Sequence, residues 1–143
     1  MKSVFSNLIG KRINGILIND ARDSFAFRTT EGKLMSYYTA GECCNVVYIN
    51  HLTGVNVLGD GNPFDLLRGA LVLEVEDKQW VDVVNTDEES YEVIEDGFFT
   101  IRTDRGYIDL EVRNEHNGYY GGHVGETETE FDSEELELVT EDF

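Results

Sequence analysis

Two stretches, "SFAFRTTEGKL" (residues 24–34) and "FFTIRTDRGYI" (residues 98–108), match each other at a constant offset of 74 in the numbering. Both carry Arg-Thr followed by a turn that closes on a glycine. On each side of the turn apolar residues alternate, which is typical of a β-hairpin with one buried face. We therefore predict two antiparallel hairpins, and their shared details indicate that one unit was duplicated. The aligned pairs are Phe25 with Phe99, Phe27 with Ile101, Arg28 with Arg102, Thr29 with Thr103, Gly32 with Gly106 and Leu34 with Ile108.

A second pair of matching segments precedes the hairpins in the same order. "SVFSNLIG" (residues 3–10) and "NPFDLLRG" (residues 62–69) align at an offset of 59. Each opens on a residue that caps helices well and closes on a glycine, Gly10 or Gly69, that can take the left-handed conformation. The pattern predicts a short helix in each copy, followed by a strand. The aligned pairs are Phe5 with Phe64, Leu8 with Leu67 and Gly10 with Gly69.

The predicted fold class is mainly β with two short helices, in which internally duplicated antiparallel hairpin units form a sandwich or a barrel. The offset rises from 59 to 74, so the second copy carries an insertion, which falls around residues 77–94. We predict one β-rich domain over residues 1–123, with related halves at about 3–50 and 62–123, and an acidic C-terminal segment at 124–143. The hairpins should bury Phe25, Phe27, Phe99, Ile101, Ile108 and Leu110 in a shared core.

Charge is the strongest compositional feature of the 143-residue chain. The 29 acidic and 11 basic residues give a formal net charge of -18, and half of it lies after residue 123. Such a field opposes direct binding of nucleic acid or anionic membranes, whose phosphates are bound by Lys and Arg. It favours a protein partner with a basic surface and speeds their encounter. An acidic surface that serves only solubility is the alternative.

The sequence contains no apolar run of the length that a membrane helix needs and no apolar segment typical of a signal peptide. Its only cysteines, Cys43 and Cys44, are adjacent, a spacing that suits neither a disulfide nor a common zinc motif. We therefore expect a soluble cytoplasmic protein without cofactor or metal. A metal site would require His51, His116 or His123 to converge on the cysteines.

No catalytic constellation can be identified. The chain lacks a P-loop, a dinucleotide-binding glycine motif and an H-E-x-x-H motif. Cys44 with His51 or His116 could be drawn as a nucleophile and a base, but such scattered residues are usually structural. The expectation is a binding protein rather than an enzyme.

Two glycine-bearing segments are the candidate binding site. Each follows the second strand of a hairpin: "TAGECCN" (residues 39–45) in the first copy and "RNEHNGYYGG" (residues 113–122) in the second. The glycines let a ligand approach the main chain, and the two tyrosines offer flat area with a polar tip. The alternative is that the tyrosines fold back onto the sheet. The candidate residues are Gly41, Glu42, Cys43, Cys44, Asn117, Gly118, Tyr119, Tyr120, Gly121 and Gly122.

These motifs carry a resemblance. "GECC" after "SYYTA", together with "NGYYGG" after "RGYIDLEV", resembles an uncharacterised family of small bacteriophage and bacterial proteins that carry G-[DE]-C-C and N-G-Y-Y-G-G elements. The resemblance covers the chain up to about Gly122. It implies a phage origin and an accessory role inside the host cell, and it transfers no activity.

Two functions are expected from these features. The first is a phage protein that binds and blocks a basic host protein, such as a defence or nucleic-acid-handling factor, through its acidic surface. The second is a sponge for a small ligand such as a nucleotide signal, in which Tyr119 and Tyr120 stack on the base. Four arginines could offset the negative field around that ligand: Arg28, Arg102, Arg105 and Arg113.

Overall fold

The structure, a computed structural model, describes residues 3–41, 46–56, 64, 68–83, 93–116, 122–127 and 135–143. Antiparallel strands make up most of this part of the chain, as predicted. None of its helices is long and apolar enough to cross a membrane. The strands are β1 (Arg12–Ile18), β2 (Ser24–Thr29), β3 (Leu34–Gly41), β4 (Val46–Asn56), β5 (Ala70–Val83), β6 (Val93–Thr103), β7 (Gly106–His116), β8 (Gly122–Thr127) and β9 (Glu137–Leu138).

The strands form one open, antiparallel path in the order β4-β7-β6-β5-β1-β2-β3-β8, with β9 added to β1. At its centre β1 and β5 pair only through Arg12 with Leu71 and Ile13 with Ala70. Two four-stranded halves diverge from this short junction: β1-β2-β3-β8 on one side and β5-β6-β7-β4 on the other. Among the described strands the path does not close into a barrel, which was one of the two predicted arrangements.

The prediction of two short helices is wrong. In the first segment only Ser6–Leu8 form a single 3-10 turn. So short a run cannot offset the cost of nucleating an α-helix. The two aligned phenylalanines are nevertheless buried, with Phe5 at 1% and Phe64 at 7% exposure. Both segments thus place a phenylalanine in the core, and of the second segment the structure describes only Phe64, Arg68 and Gly69.

The core lies between the two halves. All six residues predicted for it are buried, at 5% exposure or less. Phe5 joins the halves, because its ring centroid lies 4.7 Å from that of Tyr37 and 5.5 Å from that of Phe99. Aromatic pairs in this range contribute about 0.5–1.5 kcal/mol each beyond the area they bury. The hairpins thus bury their alternating faces against each other, as their sequence pattern predicts.

The first two strands of each half repeat the same hydrogen-bond register. In the first half Ile13 pairs with Thr29, the register shifts at a bulge, and Gly15 pairs with Arg28. In the second half Val72 pairs with Thr103, the register shifts, and Glu74 pairs with Arg102. The matching positions of β1 and β5, and those of β2 and β6, follow the two offsets found in the sequence. The bulge is therefore part of the repeated unit.

The junction between the halves has approximate twofold symmetry about the Arg12–Leu71 pair. The Gly10 amide donates to Val72 at 2.9 Å, and the Gly69 amide donates to Ile13 at 2.7 Å. The two bonds are equivalent, because Gly69 is the counterpart of Gly10 in the repeat and Val72 is the counterpart of Ile13. Both glycines have positive φ, 84° for Gly10 and 79° for Gly69, as predicted for the ends of the matched segments. The repeated pattern thus extends to the main-chain contacts that join the halves.

The alignment of the third strands is wrong by one residue. Phe27 pairs with Met35 across the first hairpin, whereas Ile101 pairs with Ile108 across the second. The counterpart of Ile108 is therefore Met35, and the sequence alignment had placed Leu34 there. The second turn is one residue shorter, and a shift by one residue moves a side chain to the opposite face of a strand.

The fourth strands are exchanged between the halves. β4 belongs to the first half in sequence and pairs with β7 of the second, while β8 follows β7 and pairs with β3 of the first. Each half is thus completed by a strand from the other. This exchange determines where the two glycine-bearing segments begin and end.

The C-terminal residues pack onto the sheet. β8 runs across the boundary predicted between residues 123 and 124, and β9 pairs with β1 through Leu17 with Leu138. Leu136 and Val139 are buried. At the end of the segment, Phe143 and Leu52 exchange two main-chain hydrogen bonds of 3.0 and 3.1 Å. Residues 135–143 therefore connect β1 of one half to β4 of the other.

Candidate functional site

The two candidate segments meet where β3 ends and β8 begins. Gly41, the last residue of β3, is the direct cross-strand partner of Gly122, the first residue of β8. On the other side of the junction Val46, the first residue of β4, is paired with Glu115 near the end of β7. The strand exchange therefore anchors both segments at neighbouring positions.

Of the predicted site residues, only Gly41 and Gly122 belong to the described part of the chain. The structure brings these two together. The others lie outside the described residues, so their role as a binding site stays a prediction. They are Glu42, Cys43, Cys44, Asn117, Gly118, Tyr119, Tyr120 and Gly121.

Close packing fixes the base of the candidate site. Asn114 is fully buried beneath Gly122, and a Cβ placed on Gly122 would lie 2.9 Å from Asn114 Cγ. Thr39 donates its hydroxyl to the main-chain oxygen of Val47 at 2.7 Å, which joins β3 to β4. Gly122 is thus required for a close approach of its strand to the Asn114 amide. Close packing and a hydrogen bond thus define the base of the site.

One aromatic ring beside this junction lies partly exposed. Tyr38 packs edge-to-face against His123, with ring centroids 6.3 Å apart, and its ring fills the space that a side chain at Gly125 would need. In the strand pairing Tyr38 lies opposite Gly125, three positions along β3 from the Gly41–Gly122 pair. Sequence reasoning missed Tyr38, although its place shortly before Gly41 could have indicated it.

A polar face covers the outside of the second half, next to the same junction. Two rows of side chains cross it in direct strand register, and both contain carboxylates. A cleft of about 300 Å³ opens over these rows. Sequence reasoning missed this face, because its residues come from four strands that only the exchange of β4 brings together. The first row is His51, Glu111, Phe98 and Lys78, and the second is Thr53, Asp109, Thr100 and Glu76.

A buried ion pair supports the polar face. Arg113 binds Asp96 through two hydrogen bonds, from Nε at 2.9 Å and from one terminal nitrogen at 3.1 Å. Asp96 is 3% exposed, so the fork of the guanidinium supplies the donors that water would otherwise provide. The same contact raises the pKa of the Arg113 guanidinium. This pair joins β6 and β7 in the row next to Glu111 and Phe98.

Glu111 is the most perturbed carboxyl of the face. Burial, together with its contact with Asp96, raises the pKa of Glu111 above its usual value. Its Oε2 lies 3.4 Å from His51 Nε2, while His51 Nδ1 lies 3.1 Å from the main-chain oxygen of Phe143. That oxygen can only accept, so Nδ1 donates to it. A hydrogen bond between His51 and Glu111 then requires a proton on Nε2 or on the carboxyl.

The four arginines considered for anionic ligands all have partners within the fold. Arg113 binds Asp96, and Arg102 pairs with Glu76 at 3.5 Å. Arg28 donates to the main-chain oxygen of Asn14 at 3.3 Å, and Arg105 donates to that of Arg68 at 2.5 Å. Arg113 and Arg102 are thus already paired with carboxylates, whereas Arg28 and Arg105 contact only neutral carbonyl oxygens and keep their charge.

No metal centre can be assembled from the described residues, which contain no group of three or more His, Cys, Asp or Glu side chains placed to hold an ion. Cys43 and Cys44 lie outside the described residues. His51 is held by Glu111 and Phe143, and His123 packs on Tyr38.

The C-terminal segment forms one wall of an acidic groove. The groove has a volume of about 340 Å³ and lies between residues 18–22 and residues 137–143. Asp20, Glu137 and Glu141 are exposed along it, and the Phe143 ring lies 4.1 Å from the Arg22 guanidinium carbon. The groove thus combines three carboxylates with Arg22 and the Phe143 ring.

Comparison with protein families gives one match. The family model described as Domain of unknown function (DUF7448) matches residues 6–125. Neither the comparison with curated proteins nor that with solved structures gives a match.

Proposed function

The chain belongs to the DUF7448 family, and we propose that it is a non-enzymatic binding protein whose acidic surface binds a basic protein partner. In its more specific form, the proposal is that this is a phage protein that blocks a host defence or nucleic-acid-handling factor. The charge balance supports the general form, because a net charge of -18 attracts basic surfaces and repels nucleic acid.

One observation carries the proposal: the acidic C-terminal residues are held in place on the surface of the fold. Glu135, Glu137 and Glu141 are exposed, while Leu136 and Val139 between them are buried. Their carboxylates are therefore presented by a packed segment, which limits the ordering cost of binding. The groove beside them can hold a lysine or arginine side chain of the partner.

Copurification tests the proposal. We expect the protein, expressed in its native host, to retain a basic protein whose complex weakens steeply with added salt, because surface charges attract across water. The double variant Glu137→Gln/Glu141→Gln should weaken that complex more than Glu31→Gln/Asp82→Asn, which removes the same charge elsewhere. A partner that is retained equally at high salt, or lost equally from both variants, would refute the acidic surface as the binding site.

A second candidate function is a small-ligand site at the paired glycine segments. The pairing of Gly41 with Gly122 favours it, since it anchors both segments at one place. Native mass spectrometry of the protein from host cells would reveal a retained nucleotide. In that case Tyr119→Ala/Tyr120→Ala should abolish retention while the melting temperature changes little; unchanged retention would dismiss this function.

A further inference from the structure

The twofold relation between the halves identifies an open strand edge. In the first half β9 adds to the edge of β1: Leu17 pairs with Leu138, Ile18 pairs with Glu137, and the Val139 amide donates to Ile16 at 2.8 Å. The counterparts of this stretch of β1 in the repeat are Val75, Glu76 and Asp77 of β5. Beyond the pairing of Ala70 and Leu71 with β1, no strand of the described residues covers this edge of β5.

Stable proteins usually protect their strand edges, because the main-chain groups of an exposed edge can pair with another chain. The main-chain groups of Ile16 face β9, and those of alternate strand residues such as Ile18 face the same way. By correspondence in the repeat, the main-chain groups of Val75 and Asp77 face the open edge of β5. Two large apolar side chains on β5, Leu73 at 54% and Val81 at 49%, are exposed along it. Exposed apolar residues on an open edge are typical of a surface that binds an added strand.

The chemistry of the outer face differs between the halves. In the first half Leu136 covers Leu17, Ala26 and Leu34, which form a small apolar cluster. In the second half the residues that take their places are polar or aromatic. Glu76 replaces Leu17, Thr100 replaces Ala26 and Tyr107 replaces Leu34, and Asp109 corresponds to Ser36 beside them.

The second contact of β9 with β1 also has a charged counterpart in the second half. Leu138 lies so close to Gly15 that a Cβ added to Gly15 would be 2.8 Å from Leu138 Cδ1. The counterpart of Gly15 in β5 is Glu74, which is exposed. Both positions that receive a leucine in the first half thus present carboxylates in the second. A strand added to β5 would meet Glu74 at one alternate position and Glu76 with Asp109 at the next.

We propose that the open edge of β5 binds an extended segment of the partner protein, which adds as an antiparallel strand and places Lys or Arg at two alternate positions against Glu74 and against Glu76 with Asp109. This inference rests on the proposed function and specifies how the partner is recognised. Main-chain hydrogen bonds to Val75 and Asp77 hold the segment, and charge pairing selects its sequence. The basic side chain over Glu76 reaches the cleft of about 300 Å³ that Thr100 and Asp109 line.

The amino-terminal turn contacts one end of this edge. Ser3 donates its hydroxyl to the Asp77 carboxylate at the far end of the edge. In the first half the corresponding place is shared, because Phe64 and Val139 lie together beside Ile13 and Ile16. In the first half, therefore, the added strand β9 and the buried Phe64 both lie along the edge of β1.

A labelled peptide of the sequence Thr-Lys-Val-Lys-Val-Thr tests the proposal on the full chain by fluorescence anisotropy. The peptide should bind the wild-type protein, and Glu74→Gln/Glu76→Gln should weaken binding about tenfold or more, since each lost charged contact affects affinity strongly. Glu31→Gln/Asp82→Asn removes the same charge from exposed positions outside this site and should have little effect. The same peptide with N-methylated amides at alternate residues should also bind at least about tenfold more weakly, because it cannot pair with a strand.

Amide hydrogen exchange supplies a readout that does not depend on charge substitution. Saturating peptide should slow exchange at Val75 and Asp77. Equal binding of the N-methylated peptide, unchanged exchange at these amides, or no peptide binding at all would overturn the inference. If salt-sensitive binding responds to Glu137 and Glu141 instead, the strand site is refuted while the acidic surface remains the binding site.

Discussion

At the scale of single residues, close approaches and buried charges explain the base of the candidate site. Gly122 lies against the Asn114 amide, and Glu111 keeps its proton more readily than an exposed carboxyl does. Neither property can be predicted from the sequence. A glycine near a loop predicts a turn, whereas Gly122 begins a strand and leaves space for the Asn114 side chain packed against it. The raised pKa of Glu111 comes from its burial and from Asp96, which is distant in sequence and lies on another strand.

We predict that Gly122→Ala destabilises the protein by about 1–3 kcal/mol, the usual cost of forcing a methyl group into packed space. The measurement is the free energy of unfolding in urea. Adding Asn114→Gly removes the crowded atoms, so the double variant should cost less than the sum of the single ones. A Gly122→Ala protein as stable as the wild type would contradict the packing described for this strand pair.

Glu111 should make stability depend on pH. Because its pKa in the folded protein is raised, the group stabilises the fold below its ordinary pKa of 4.5, and this contribution is lost as pH rises through the raised value. Glu111→Gln should therefore unfold at higher temperature than the wild type at neutral pH, and the difference should shrink below pH 4.5. A melting-temperature difference that stays constant with pH, or a less stable variant at neutral pH, would contradict the shift.

At the scale of elements, the sequence predicts the hairpins and their buried faces but not how far the repeat extends. Alternation and the shared Arg-Thr identify the first two strands of each half with the correct offsets. The third strands are misaligned by one residue, since the glycines Gly32 and Gly106 match in sequence while the turns differ in length. The first predicted helix fails for a different reason: its capping residues favour a helix, but the segment is too short to form more than a single 3-10 turn.

Of the two leucines in the C-terminal segment, Leu136 should contribute more to stability than Leu138. Leu136 is 6% exposed over Leu17 and Ala26, whereas Leu138 is 37% exposed. Leu136→Ala should lower the free energy of unfolding by about 2–4 kcal/mol, as expected for a buried leucine. Leu138→Ala should cost distinctly less. Equal effects, measured by urea unfolding, would mean that the segment does not pack as described.

At the scale of the whole molecule, the exchange of β4 and β8 has the largest consequences. It completes each half with a strand of the other, places Gly41 opposite Gly122, and forms the polar face from four strands. Sequence similarity could predict that the two glycine segments follow equivalent strands. It could not predict that they begin side by side, because local pairing of β3 with β4 would satisfy the same hydrophobic pattern.

The strand exchange also predicts cooperative unfolding. Neither half keeps its fourth strand without the other, and Phe5 packs on both. We expect a single unfolding transition, with fluorescence and circular dichroism giving the same midpoint in denaturant. Two separated transitions would indicate halves that fold independently, which the shared strands and core do not allow.

The central claim is that the exchanged strands bring the two motif-bearing segments to one place, and nuclear Overhauser contacts between main-chain protons test it most directly. The described register predicts cross-strand contacts between Gly41 and Gly122 and between Val46 and Glu115. Contacts of Gly41 with Val46 in a local hairpin of β3 with β4, without contacts between Gly41 and Gly122, would contradict the exchange and with it the shared site.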